Sequence, residues 1–270
     1  MALDTLSLAG KSAIITGSGR ENGIGAAIAR ALARNGANVA IHHVSEESKS
    51  GAEKVAAELA NEYGVETTVV RGSIDDCEAA KAMVSQTISG LGVDHVDILV
   101  NNAAETGYEP LLEASPEHLQ KQFAVNVFGP VYLTQAAIGI GKMPKGGRII
   151  NIGSVASKMG LPIAAIHSAA KAAQDSLTAS WASELGHKYG ITVNTVALGP
   201  IPTDSSKQYL INPDGTPSSV HDSFIAQTRA GSRLGTPDDV ADAVLLLVSE
   251  KSRWITAQWI SVSGGITGTM

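Results

Sequence analysis

Thr16-Gly17-Ser18-Gly19-Arg20-Glu21-Asn22-Gly23-Ile24-Gly25 follows the apolar run Ala13-Ile14-Ile15 and leads directly into a helix-like stretch from Ile24 to Arg34. A second apolar run, Asn38 to Ile41, comes next, so the segment reads as a βαβ unit. Ala27, Ile28, Ala31 and Leu32 give the helix its buried stripe, and Asn35-Gly36 ends it with a left-handed cap. Glycines in the turn allow positive φ and close backbone approach, while the helix N-terminus offers free N–H groups to a pyrophosphate. A glycine-rich turn also serves packing alone; its place after the first strand of a βαβ unit is what points to a nucleotide.

Outward from this unit the alternation continues. Helices are expected around 46–62, 78–90, 116–139, 163–188 and 237–249, and strands at 67–70, 97–101, 148–152, 192–197 and 259–262. The strands are continuous apolar runs rather than alternating ones, which implies a sheet covered on both faces. The expected fold is α/β: a single doubly wound Rossmann domain over 1–270, with a seven-stranded parallel sheet flanked by helices and right-handed crossovers. Residues 204–234, with Asn212-Pro213-Asp214-Gly215, read as a long irregular insertion and hence as a substrate lid, with Tyr209, Leu210, Phe224 and Ile225 as apolar contacts.

The chain has 270 residues, 44% of them apolar, and a formal charge of −6, which suits one large core and offers no broad basic surface for nucleic acid. Cys77 is the only cysteine, excluding an intrachain disulfide or a multi-cysteine metal site, and reads as a buried filler. Met1-Ala2-Leu3-Asp4 lacks a secretory pattern, and no apolar run approaches the roughly 20 residues of a membrane span. A soluble, cytoplasmic protein is expected.

An NAD-binding unit usually carries a carboxylate at the tip of its second strand. Here Ile41-His42-His43-Val44-Ser45 has none, and Arg20 lies where a guanidinium meets a 2′-phosphate, so NADP(H) is favoured. The alternatives are a merely solvated Arg20, or Glu46 or Glu47 reaching the ribose. A metal site at His42 and His43 is excluded because adjacent strand residues point to opposite faces.

Further motifs stand in order: Asn101-Asn102-Ala103-Ala104, Asn126, Ser154, His167-Ser168-Ala169-Ala170-Lys171, Leu198-Gly199-Pro200-Ile201-Pro202-Thr203-Asp204, Arg233 to Ala241, and Ser263-Gly264-Gly265. Together with Thr16–Gly25 they resemble the short-chain dehydrogenase/reductase family from Lys11 to Gly265, fungal polyketide-type ketone reductases most of all. The resemblance implies a nucleotide site made of Gly17, Ser18, Arg20, Gly23, Ile24, Gly25, His42, His43, Ser45, Ser73, Asn102, Ala103, Ala104, Lys171, Pro200, Ile201 and Thr203. It implies a catalytic set of Asn126, Ser154, His167 and Lys171, and a homotetramer or dimer paired through the helices near 116–139 and 163–188. Four departures stand out: the inserted Glu21-Asn22, Ala104 for glycine, Leu198 for proline, and His167 where the family has tyrosine.

In the family's chemistry the tyrosine passes a proton to or from the substrate oxygen while the nicotinamide transfers hydride, lysine lowers the tyrosine pKa, and serine polarises the oxygen. His167 and Lys171, four apart on a helix, share a face. The ammonium should keep the imidazole neutral, and its tip ends in a different place from a phenol. His167 thus reads as an acid acting through water, an orienting group or a polar wall. His95, His118, His187 and His221 read as surface residues. The leading expectation is an NADP(H)-dependent reductase or dehydrogenase for a small carbonyl, imine or activated alkene. The alternatives are a non-redox isomerase or cyclase, and a nucleotide sensor.

Overall fold

The computed structural model describes residues 6–162 and 164–266; the reading of Met1-Ala2-Leu3-Asp4 lies outside them. In chain order the elements are β1 (Ser12–Ile15), α1 (Ile24–Arg34), β2 (Asn38–His43), α2 (Lys49–Tyr63), β3 (Thr67–Arg71), α3 (Cys77–Leu91), β4 (Ile98–Asn101), α4 (Pro116–Phe123), α5 (Gly129–Gly139), β5 (Arg148–Ser154), α6 (Ala156–Met159), α7 (Ala165–Tyr189), β6 (Thr192–Leu198), α8 (Lys207–Leu210), α9 (Ser219–Gln227), α10 (Pro237–Val248) and β7 (Trp259–Val262).

The seven strands form one parallel sheet in the order β3-β2-β1-β4-β5-β6-β7. Alternation along β1 divides the core: Ala13 and Ile15 pack with α1, α2 and α10, while Ile14 packs on the opposite face with α3, α5 and α7. Both isoleucines are fully buried, each contributing about 1.5–3 kcal/mol over exposure. This is why the strands show no polar alternation. The chain winds outward in both directions from β1 and β4, and their carboxyl ends open the crevice where such sheets take ligands.

Local chemistry sets the helix ends. Asp76 accepts from the Glu78 and Ala79 N–H groups at the start of α3, and Thr236 with Asp239 forms a capping box on α10. At the end of α1 the left-handed residue is Gly36, at φ +94°, rather than Asn35.

Three expectations need correction. The helix read over 116–139 is interrupted at Ala124–Phe128 by a π-helical turn. Pro130 has no N–H and cannot donate the α-helical bond to the Asn126 carbonyl, so the ladder shifts there. The 204–234 insertion is not irregular: it holds α8, α9 and a bridge between Ile211 and Pro217. Cys77 is half-buried at the start of α3 rather than a core filler.

Candidate functional site

The glycine turn is built from below. Gly17 has φ +65°, and a Cβ there would lie 3.0 Å from Ala103 Cα. A Cβ on Gly25 would meet the Gly17 carbonyl at 2.6 Å, so Gly25 serves the close packing of α1 on the strand. Thr16 Oγ1 accepts from the backbone N–H groups of Asn102 and Ala103, each at 2.9 Å, and Asn102 Nδ2 donates to the Thr16 carbonyl at 2.7 Å. These bonds tie the turn after β1 to the turn after β4.

His42 lies beneath this turn. The Gly17 N–H donates to its Nδ1 at 2.8 Å, and its Nε2 donates to the Gly72 carbonyl at 2.9 Å. Burial lowers its pKa to about 4 against the pull of that carbonyl, and the neighbouring His43 lowers it further. His42 is therefore a neutral strut. Ser18 is likewise inward: its hydroxyl donates to the Ile15 carbonyl and accepts from the His42 N–H.

The fit to a dinucleotide is visible in α1. Its N-cap is Gly23, with no side chain bonding the first N–H groups. Uncapped N–H groups at a helix start favour an anion. They face a cleft of about 700 Å³ that Gly17, Arg20, Gly23, Ile24, Gly25, His42, His43, Ser45, Ser73, Asn102, Ala103, Ala104, Pro200, Ile201 and Thr203 line. At one end Arg20 Nη1 donates to Ser205 Oγ at 2.5 Å, bridging the glycine turn to the 204–234 segment. Glu46 is engaged by Arg71 at 2.7 Å and Glu21 by Lys54 at 3.2 Å, and Glu47 and Asp204 stand with Glu21 around Arg20.

At the other end stand Ser154, His167 and Lys171. Lys171 is buried, and its ammonium donates to the Ile152 carbonyl at 2.8 Å and to Gln174 Oε1 at 3.3 Å. Burial lowers its pKa to about 8, against the opposing charge of Asp175. Ser154 Oγ accepts from the Ala156 N–H at 3.1 Å, which leaves its own O–H free to donate. Asn126 lies in the π-helical turn. Its side chain donates to the Glu105 carbonyl at 3.0 Å and to Gln122 Oε1 at 2.9 Å, and accepts from the Glu105 N–H at 3.3 Å.

His167 is 5% exposed. Its pKa falls to about 4, first through burial and then through the Lys171 charge; the Glu105 carbonyl and carboxylate oppose this without reversing it. Its Nδ1 is buried without a hydrogen bond. Tyr108 meets the imidazole edge to face at 5.5 Å between centroids, and Tyr209 of α8 packs on Tyr108 at 5.0 Å. Of the four apolar residues expected of the lid, Tyr209 alone lines the cleft.

Sequence reading missed Glu105, Tyr108, Lys121 and Gln174. Glu105 directly follows Asn101–Ala104, and Gln174 is one turn beyond Lys171, so both were within reach; Tyr108 lies in a loop without periodicity. His118, expected at the surface, is 9% exposed in its side chain and lies 3.5 Å from Glu109.

Residues 17–267 match the adh_short_C2 family, described as enoyl-(acyl carrier protein) reductase. The chain is 38% identical over 261 residues to the short-chain dehydrogenase/reductase FrzI of Cladobotryum sp, covering 96% of this chain and 97% of that protein. It is 34% identical over 267 residues to versicolorin reductase 1 of Aspergillus parasiticus, covering 97% and 98%. A blue fluorescent protein from a metagenomic library, solved in complex with NADPH, superposes with a TM-score of 0.85 at 34% identity, covering 97% and 99%. The chain belongs to the short-chain dehydrogenase/reductase family.

Proposed function

We propose that this protein is an NADP(H)-dependent reductase of a polarised double bond in a small organic molecule. The observation that carries the reading is the joining of two half-sites in one cleft: the uncapped N-terminus of α1 beside Arg20, and Ser154 with Lys171 at the far wall. The oxidoreductase relatives and the NADPH-bound structural neighbour favour redox chemistry over the isomerase, cyclase and sensor alternatives.

NADPH, when bound, supplies the hydride. The α1 N–H groups would hold its pyrophosphate, Arg20 its 2′-phosphate, and Lys171 its nicotinamide ribose. Ser154 donates a hydrogen bond to the substrate heteroatom. His167 is neutral above pH about 4, and a neutral imidazole is a very weak acid, so it orients rather than protonates. The 204–234 segment closes over the substrate as a lid on one domain.

The same reading places the protein in the cytoplasm as a homo-oligomer without nucleic-acid or membrane partners. Among the described residues no helix is long and apolar enough to cross a membrane. The test is calorimetric titration with NADPH, followed by its oxidation with a panel of ketones, imines and activated alkenes. Tight NADPH binding with turnover of at least one class is expected; no binding overturns the reading.

A further inference from the structure

At position 167 the wall opposite the glycine turn has the wrong polarity for a carbonyl. A tyrosine at position 167 would present an O–H donor there. His167 presents a neutral ring with a single N–H, and the backbone group acting on that ring is the Glu105 carbonyl, an acceptor, which draws the N–H toward itself. Whichever nitrogen carries the proton, the other offers a lone pair. Beside it stands the Glu105 carboxylate. Burial opposes its ionisation, but the Gly107 N–H and the Lys121 ammonium outweigh burial and hold the carboxyl below its usual range. His167 Nδ1 is buried without a hydrogen-bond partner, and a buried nitrogen left unpaired is unfavourable unless a ligand pairs it.

The rings of Tyr108 and Tyr209 line the same end of the cleft as His167, Ser154 and Glu105. Aromatic faces and a carboxylate together attract a cation. The opposing charges are those of Lys121, Lys171 and, when protonated, His118. Lys121 bonds Glu105 Oε2 at 3.2 Å with a side chain 66% exposed, so water screens it. Lys171 is turned to the Ile152 carbonyl and Gln174, although its charge still acts on His167.

From this geometry we propose that the bond reduced is C=N, taken as the protonated imine, with its N–H donated to His167 and its charge met by Glu105 between the two tyrosines. The proposal rests on the reductase reading above. Its balance explains why no tyrosine is needed. The imine carbon gains the hydride as a new C–H bond, the π pair moves onto nitrogen, and the cation becomes a neutral amine. A carbonyl given the same hydride would also need a proton from the wall. NADPH is oxidised to NADP⁺, and the protein gives up no proton.

The experiment compares two substrates of matched shape, 3,4-dihydroisoquinoline and α-tetralone, with the NADPH-loaded protein. Separately, calorimetry measures binding of tetrahydroisoquinolinium, the protonated product, to the NADPH complex, which holds no hydride acceptor and so does not turn over. We expect kcat/KM for the imine to exceed that for the ketone by about 10²-fold or more, the low end of what a missing acid costs a carbonyl. The Glu105→Gln variant, which keeps an acceptor for the Gly107 N–H, should bind the ammonium about tenfold more weakly with NADPH affinity unchanged, as expected for loss of a charge-assisted contact. Comparable rates on the two substrates, or ammonium binding indifferent to Glu105→Gln, overturns the proposal while leaving the reductase reading intact. If NADPH itself fails to bind, both fall together.

Discussion

The Gly17 N–H donates to His42 Nδ1 at 2.8 Å, and the same imidazole reaches the Gly72 carbonyl at 2.9 Å from its other nitrogen. One buried ring thus fixes the start of the glycine turn to the end of β3. Replacing it should loosen the turn without emptying the core. His42→Leu is expected to weaken NADPH binding roughly tenfold, the size of one buried hydrogen bond, with the circular dichroism spectrum preserved. An unchanged dissociation constant would show that the strut is only structural.

Arg20 should govern nucleotide choice. Its guanidinium already spans the cleft mouth to Ser205, and a 2′-phosphate there would add a charge-assisted bond. Arg20→Ala is expected to cost roughly tenfold to a hundredfold in NADPH affinity while leaving NADH nearly untouched. Equal losses for both nucleotides would place the 2′-phosphate elsewhere.

Acid stability follows from two buried histidines. His42 and His167 have folded pKa values of about 4, against about 6.5 in the unfolded chain. As pH falls between those values the unfolded state takes up protons that the folded state refuses, so stability present above pH about 6.5 is lost toward pH 4. Asp175, whose carboxyl burial pushes upward, acts in the opposite sense at the acid end. Thermal melts should show Tm falling through this window, with a slope about one proton smaller in His167→Tyr. A flat Tm from pH 6.5 to 5 would contradict the assigned protonation states.

Association is expected through the face that carries α4 and α5. Leu112 is 98% exposed, Leu111 68% and Phe128 49%, exposed apolar side chains flanking α4 of the kind buried between subunits. Light scattering at micromolar concentration should give a multiple of the 27.8 kDa chain. A stable monomer would exclude the oligomer.

Much of this architecture was legible in the sequence because it depends on local pattern. The Ile24–Arg34 helix is bounded by Gly23 and Asn35-Gly36, and its alanine stripe has one place to pack. The strand runs announced their two covered faces through Ile14 and Ile15. The break at Ala124–Phe128 was hidden, since it arises from Pro130 acting four residues upstream through a missing N–H. The order within 204–234 was hidden too, because α8 and α9 are short, at four and nine residues, and α9 buries no side chain that would give it a periodic stripe. In the site, residues inside motifs were found, and those that act through loops were not. Tyr108 and Glu105 matter because the loop after β4 folds back over His167, which no periodicity encodes. His42 was read as a nucleotide contact and lines the cleft; its bonds to Gly17 and Gly72 were hidden because they span 25 and 30 residues.

The central claim is that His167 leaves nucleotide binding intact while removing the proton donor that a ketone requires. The direct measurement is kcat for α-tetralone with NADPH in the parent and in His167→Tyr, alongside the NADPH dissociation constant of each. The account predicts a gain in ketone turnover of about 10²–10⁴, the usual worth of a positioned acid, with the dissociation constant unchanged. Equal ketone rates in the two proteins would contradict it.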